Sequence, residues 1–368
     1  MKDKKIDLRL IICLIFFFII SITSIYSSLK ISNNSIDNIF IKQIIFYIIG
    51  IVLLLIAYYN KNYIIKHSLL WYIGFNILLF ALLFFGISIN GSKCWIILGP
   101  LSFQPSEFMK IFLIIIISNI LNKYKNVKTL KKEFIMLTKI AIVLLIPSIL
   151  TFLEPDTGVV IIYFLITISM VLYRGINKKW YLIFLSIFLT IIGIIVTLYF
   201  CNQEIFKNII NENILYRLDR ILNWSSQTGY QLENSLIVIA SSGLFGFGFN
   251  NIPLYYPEAN TDFIFTTYNA IFGFIGSLLL IVIIIVFDTS IINLCNKKIK
   301  KQDQYLLVGI FTMILYQQIQ NISMTIGLLP ITGITLPFIS YGGSSLLSYM
   351  FICGIILKII KDENKYIN

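Results

Sequence analysis

Charge is scarce in this chain, and histidine is nearly absent. Asp, Glu, Lys and Arg make up 12% of the 368 residues, and His67 is the single histidine. Soluble domains carry roughly 25% charged residues. A chain this poor in charge, and 58% hydrophobic, cannot cover a surface facing water. His67 sits beside Lys66 in a short break between apolar runs, the place of a solvated turn residue. The five cysteines (Cys13, Cys94, Cys201, Cys295 and Cys353) show no CxxC or metal-ligand spacing. Zinc and dithiol redox chemistry are therefore excluded. Cys94 and Cys201 fall on one side of the topology derived below. That permits a disulfide, although nothing in the sequence brings the two together.

What the chain has instead is long apolar runs. About 20 apolar residues at 1.5 Å rise cross ~30 Å of hydrocarbon. Ten such runs are expected as transmembrane spans, near 9–29, 40–59, 68–88, 105–121, 134–153, 158–173, 180–200, 263–288, 304–322 and 344–360. The fold class expected is an all-α polytopic membrane protein of about ten helices, one membrane domain over 1–368. The first run is too long for a signal peptide and no small-residue cleavage site follows it, so it reads as a retained helix. The fourth and sixth runs are short and flanked by Pro and Gly, as in elements broken or buried at membrane depth.

Basic residues decide the orientation. Lys2, Lys4, Lys5 and Arg9 precede the first span, and Lys123, Lys125, Lys128, Lys131 and Lys132 cluster between the fourth and fifth. Lys297, Lys298, Lys300 and Lys301 separate the eighth from the ninth. The opposite face holds only Lys30, Lys42, Lys93, Lys110, Lys207, Arg217 and Arg220, together with most of the acids. By the positive-inside rule both termini are cytoplasmic. The net charge of +12 is thus a topology signal that also attracts anionic membrane lipid. Nucleic-acid binding is excluded as its explanation.

Four segments depart from plain membrane packing, all on the extracytoplasmic side. The first is a long loop over about 201–262, between spans 7 and 8. It carries Arg217 and Arg220 three residues apart, and Asp262 at its end. Within it Gly229–Phe249 is apolar but rich in Ser and Gly, and is expected to lie along the interface rather than to span. The second is FQPSEFMK at 103–110, in which Glu107 and Lys110 share a helix face. The third is EPDTG at 154–158, where Asp156 can cap the next helix. The fourth is GLLPITGITLPFISYGGSS at 327–345. Its Pro330, Pro337, Gly342 and Gly343 force irregular backbone at membrane depth, tolerated where it is buried or lines a cavity. Taken singly, each also reads as structure: an ion pair holding a helix, a tight turn, a packing loop.

In this order the segments resemble the RodA/FtsW/SpoVE (SEDS) family. NGSKCWIILGPLSFQPSEFMK from 90, EPDTG from 154, GYQ from 229, SSGLFGFGF from 241, PEANTDFIF from 257 and GLLPITGITLPFISYGGSS from 327 carry the resemblance. It implies a peptidoglycan glycosyltransferase of the bacterial cytoplasmic membrane that polymerises lipid II. It also implies a class B penicillin-binding protein as partner and a role in elongation, division or sporulation. The family's essential aspartate lands on Asp262 as catalytic base, and its paired acidic and basic positions on Glu107 and Lys110. Lys110, Arg217 and Arg220 are the candidate cations for the pyrophosphate, with Asp156 behind them. Asn260 stands where many members have His. Cys94 replaces the Arg that many carry before Trp95, leaving Lys93 beside it as the cation of that loop. The spacing shows no metal cage, and a magnesium or manganese ion bridging pyrophosphate and carboxylate is the one cofactor the chemistry leaves room for. A lipid II flippase and a non-catalytic scaffold are the alternatives. The first would need a polar path to both faces, whereas the notable acids gather at one.

Overall fold

A computed structural model describes residues 8–31, 36–89, 92–99, 101–127, 129–201, 230–249, 251–297 and 299–363. Ten long helices dominate it: α1 (Leu8–Ile31), α2 (Ile36–Lys66), α3 (Ser68–Phe85), α4 (Pro105–Lys123), α5 (Leu130–Leu153), α6 (Thr157–Arg174), α7 (Lys178–Cys201), α9 (Ile264–Cys295), α10 (Lys301–Thr325) and α11 (Gly343–Glu363). The twelve-residue α8 (Tyr230–Ser241) is too short to cross a bilayer. Eight of the long helices are long and apolar enough to span a membrane. Helix α10 is the most polar of the remainder, with Gln317, Gln318, Gln320 and Asn321 in its second half, all four buried by neighbouring helices.

Burial sorts the helices by environment. The spans of α4 and α11 are 83% buried within protein, while those of α2 and α3 are 22% buried and turn bare Ile, Leu and Phe side chains outward. Apolar surface on that scale is stable against lipid tails, not water. The centre is built from α4, α6, α10 and α11, where Met109, Ile117, Ile166, Met170, Ile310 and Ile356 pack with almost no exposure.

Two expectations need correction. A small antiparallel sheet, β1 (Ile87–Ile89), β2 (Ser92–Leu98) and β3 (Leu101–Phe103), connects α3 to α4. The chain is therefore mostly helical rather than purely so, and the third helix stops at Phe85 because the strand begins. The eighth span does not stop at Asp288: α9 continues to Cys295 and buries Asp288 against Gln318, whose amide lies 3.3 Å from its carboxylate. A charge that ended an apolar run in the sequence is satisfied by another helix in the fold.

The segment between α10 and α11 is irregular, as its prolines require. Helix α9 also breaks once, at Gly273 (φ 67°), where the turn after α8 meets it backbone to backbone. A Cβ on Gly273 would stand 2.4 Å from the Gly246 nitrogen, so only glycine admits the contact.

Candidate active site

The site begins at the first turn of α4. Pro105 takes the position whose N–H has no helical partner, and Glu107 lies near the positive end of the helix dipole. One turn on, Lys110 donates to Glu107 Oε2 at 2.7 Å. Lys110 is fully buried and Glu107 is 6% exposed. Beneath them the ammonium lies 5.8 Å from the centre of the Tyr349 ring, whose hydroxyl accepts from Gln317 at 2.9 Å. Desolvating two charges costs about what their attraction returns, so such a pair is weak evidence for stability.

Asp156 joins this pair from the start of α6. Its Oδ1 accepts the Val159 N–H at 3.2 Å, capping the helix, and its Oδ2 accepts from the Gln104 side chain at 2.9 Å. The Gln104 N–H in turn donates to Ser344 at the head of α11. Burial drives the Asp156 carboxyl up to about 6. The Glu107 charge adds to the rise, while the Val159 bond, Lys110 and Gln104 oppose it. Glu154, two residues before, is fully buried, and neither carboxylate oxygen has a hydrogen-bond partner among the described residues. Burial first, then the neighbouring Asp156 charge, push it up to about 8. Strand β2 closes over it, with the Cys94 thiol donating to the Glu154 carbonyl at 3.2 Å.

Asp262 comes from a different part of the chain. It lies in the turn before α9, and its backbone carbonyl accepts from Asn321 of α10 at 2.9 Å. The same amide holds the Ile334 carbonyl at 2.8 Å, which ties the Asp262 turn to the irregular segment after α10. A Cβ on Gly333 would stand 3.6 Å from Asp262 Oδ2, while one on Gly158 would stand 3.3 Å from the Thr332 carbonyl. The strip 332–334 thus approaches both the Asp262 carboxylate and the start of α6, which Asp156 caps.

Glu107, Lys110 and Asp156 therefore form one electrostatic group, and the strip 332–334 approaches both Asp262 and the start of α6. Lys93 stands apart, exposed on β2. Strand alternation turns it to the face opposite its buried neighbour Cys94. Arg217 and Arg220 lie outside the described residues. Among the described residues no three His, Cys, Asp or Glu side chains converge as a metal site. Gln104 and Glu154 lie within the FQPSEFMK and EPDTG segments without a role of their own in the sequence reading, and Asn321 lies outside all four segments. Asn321, a polar residue inside a span, carried the one usable signal.

A family model described as "Cell cycle protein" (FtsW/RodA/SpoVE) matches residues 5–365. A probable peptidoglycan glycosyltransferase FtsW of Coxiella burnetii is 34% identical over 333 residues, spanning 87% of this chain and 86% of its own. The stage V sporulation protein E of Bacillus subtilis is 29% identical over 97% of this chain and 98% of its own. Among solved structures, a chain from a peptidoglycan synthase complex superposes with a TM-score of 0.79 at 20% identity, covering 97% of this chain and 98% of that one. The rod shape determining protein RodA of Thermus thermophilus superposes at 0.66 with 22% identity, covering 95% and 96%. At those identities the structural matches speak for the fold alone.

Proposed function

The chain belongs to the FtsW/RodA/SpoVE family of cell cycle proteins, and from that membership we infer that it is a peptidoglycan glycosyltransferase, a multi-pass protein of the bacterial cytoplasmic membrane. Ten spans, cytoplasmic termini and an outward-facing site complete the reading, supported by the distribution of Lys and Arg along the chain. The substrate is lipid II and the partner is a class B penicillin-binding protein. The solved synthase complex, whose description couples polymerization to crosslinking, supports that pairing.

Chain growth joins C1 of a sugar carrying polyprenyl pyrophosphate to the 4-hydroxyl of an incoming sugar. The new bond forms between that hydroxyl oxygen and C1, the C1–pyrophosphate bond breaks, and the hydroxyl proton must leave. Asp262 takes the proton as general base, worth about 10²–10⁴ in rate. Lys110, held by Glu107, faces the charge that grows on the departing pyrophosphate, and Asp156 fixes the head of α6 beside it. Arg217, Arg220 and Lys93 are further substrate contacts in this reading. Direct displacement inverts the anomeric centre.

The observation that carries the mechanism is the strip 332–334, which approaches Asp262 at Gly333 and, at Thr332, the start of α6, whose capping Asp156 is grouped with Lys110 and Glu107. A carboxylate beside this segment and a buried cation grouped with Asp156 suit a reaction that removes a proton at one point and delivers charge at another. The flippase alternative needs polar groups open to both faces. Inside the bundle, Asp288 bonds Gln318 and Gln317 bonds Tyr349, pairs between neighbouring helices. The test is purified protein, with and without a class B partner, incubated with labelled lipid II. Glycan polymer from wild type but not from an equally folded Asp262→Ala supports the reading. Equal polymer from both removes Asp262 as base.

A further inference from the structure

Three consecutive carbonyls of the α10–α11 segment are held by side chains of α1 and α2. Tyr47 donates to the Phe338 carbonyl at 2.6 Å, Ser21 to that of Ile339 at 2.8 Å, and Gln43 to that of Ser340 at 3.4 Å. Gln43 also donates to Ser21 Oγ at 3.1 Å, joining the two helices. All three side chains are buried, Ser21 and Gln43 completely.

Phe338 adopts φ +67°, a left-handed backbone in which a bulky L-residue brings Cβ against its carbonyl. Such a conformation persists only where the surroundings over-determine it. Here they do. The ring stacks on Phe17 at 5.3 Å and meets Phe287 edge-on at 5.3 Å, and its own carbonyl is the one Tyr47 holds.

The other edge of the same segment grips the Asp262 turn. Ser340 Oγ donates to the Thr261 carbonyl at 2.7 Å while accepting the Leu336 N–H, and the Tyr341 N–H donates to the Asn260 carbonyl at 2.8 Å. Ser340 therefore belongs to both contacts, with its carbonyl on α2 and its hydroxyl on Thr261. We propose that Tyr47, with Gln43, is a positioning residue: through the strained backbone at Phe338 it fixes the height of residues 260–262 over the site. The functional half of this inference rests on Asp262 as the base. Asn321 holds the Asp262 carbonyl independently, so loss of the Tyr47 hydroxyl displaces the turn without releasing it.

The test uses the full chain in detergent or lipid nanodiscs carrying Tyr47→Phe, which keeps the ring and deletes one donor. Gln43→Leu serves as a second variant should the first fold poorly. Amide hydrogen exchange read by mass spectrometry should rise together in peptides covering 335–341 and 257–263, by about tenfold for one lost hydrogen bond. The α4 peptide over 105–123 should be unchanged. Polymerisation should lose about tenfold in kcat with KM for lipid II held within twofold, the signature of misplaced chemistry rather than lost binding. A rise confined to 335–341, or none in either peptide, overturns the proposal. So does a rise in both with kcat unchanged. If Asp262→Asn polymerises at the wild-type rate, the assignment of the base is what fails, and the exchange experiment still decides whether Tyr47 controls the turn.

Discussion

The two ends of the helix bundle treat charge in opposite ways. At the end where α2 and α11 terminate, ion pairs close the helix ends. Lys61 bonds Asp303 at 2.8 Å and reaches Asp362 at 3.8 Å, Lys297 bonds Glu363 at 3.0 Å, and Arg174 lies 3.6 Å from Glu133 while donating to the carbonyls of Tyr124 and Val127. These contacts stitch α2, α5, α6, α10 and α11 together. At the other end Asp156 and Glu154 are pushed up to about 6 and about 8, and the Glu154 carboxylate and the hydroxyls of Ser106, Thr151 and Thr332 are buried without a hydrogen-bond partner among the described residues. Cross-helix ion pairs mark where the fold is held, although Arg174 Nε and Gln304 Oε1 are buried there without a hydrogen-bond partner among the described residues. The raised carboxyls of Glu154 and Asp156 mark the end left ready for a ligand or a proton.

The sharpest way to break this contrast is to replace one ion pair at each end with apolar or neutral groups. Lys110→Met alone strands a buried Glu107 and should cost about 3–5 kcal/mol. Adding Glu107→Gln should restore most of the thermal midpoint and none of the polymerisation. At the terminal end, Lys61→Met with Asp303→Leu should restore both. Restored polymerisation in the first double variant, or lost polymerisation in a stable second, would erase the distinction between the two ends.

Asp156 gives the next largest effect. Asp156→Asn keeps an oxygen for the Val159 N–H and removes the charge, so polymerisation should fall roughly tenfold (about 1.4 kcal/mol) with little loss of stability. Asp156→Ala should lose about a further 1 kcal/mol of stability with the cap. Comparison of the two midpoints checks whether charge and cap are separable.

Acidity adds a third test. The folded state holds its proton on Glu154 up to about 8 and on Asp156 up to about 6, against ordinary values of 4.5 and 3.8. The folded chain then binds more protons than the unfolded chain between those limits, so stability falls as pH rises from about 4 to about 8. Glu154→Gln should flatten the upper part of that decline and raise the midpoint at pH 8 relative to wild type. An unchanged slope would mean that Glu154 is already ionised in the fold. Lys93→Ala is expected to do least: within about 0.5 kcal/mol in stability, as for other exposed positions, and about a twofold rise in KM for a peripheral contact.

How much of this was legible in the sequence follows the range of each interaction. Glu107 and Lys110 are three residues apart, and their pairing follows from helix geometry alone. Asp156 before Thr157 and Gly158 reads as a cap, and it is one. The irregular segment before α11 follows from Pro330 and Pro337. Contacts between distant parts of the chain were not legible: Gln104 with Ser344, Asn321 with Asp262, and Tyr47 with Phe338 join residues whose separations carry no periodic signal. The sheet at 87–103 was missed because its strands are short and one begins where an apolar helix ends. The α9 boundary was misplaced because Asp288 looks like a stop until Gln318 is seen beside it.

The most direct measurement places wild type and Asp262→Asn in sealed vesicles with a class B partner and labelled lipid II, and reads glycan polymer and lipid crossing in the same sample. Polymer from wild type and none from the variant, at equal thermal midpoints, is the predicted result. Polymer at the wild-type rate from the variant, or lipid crossing with no polymer from wild type, would contradict it.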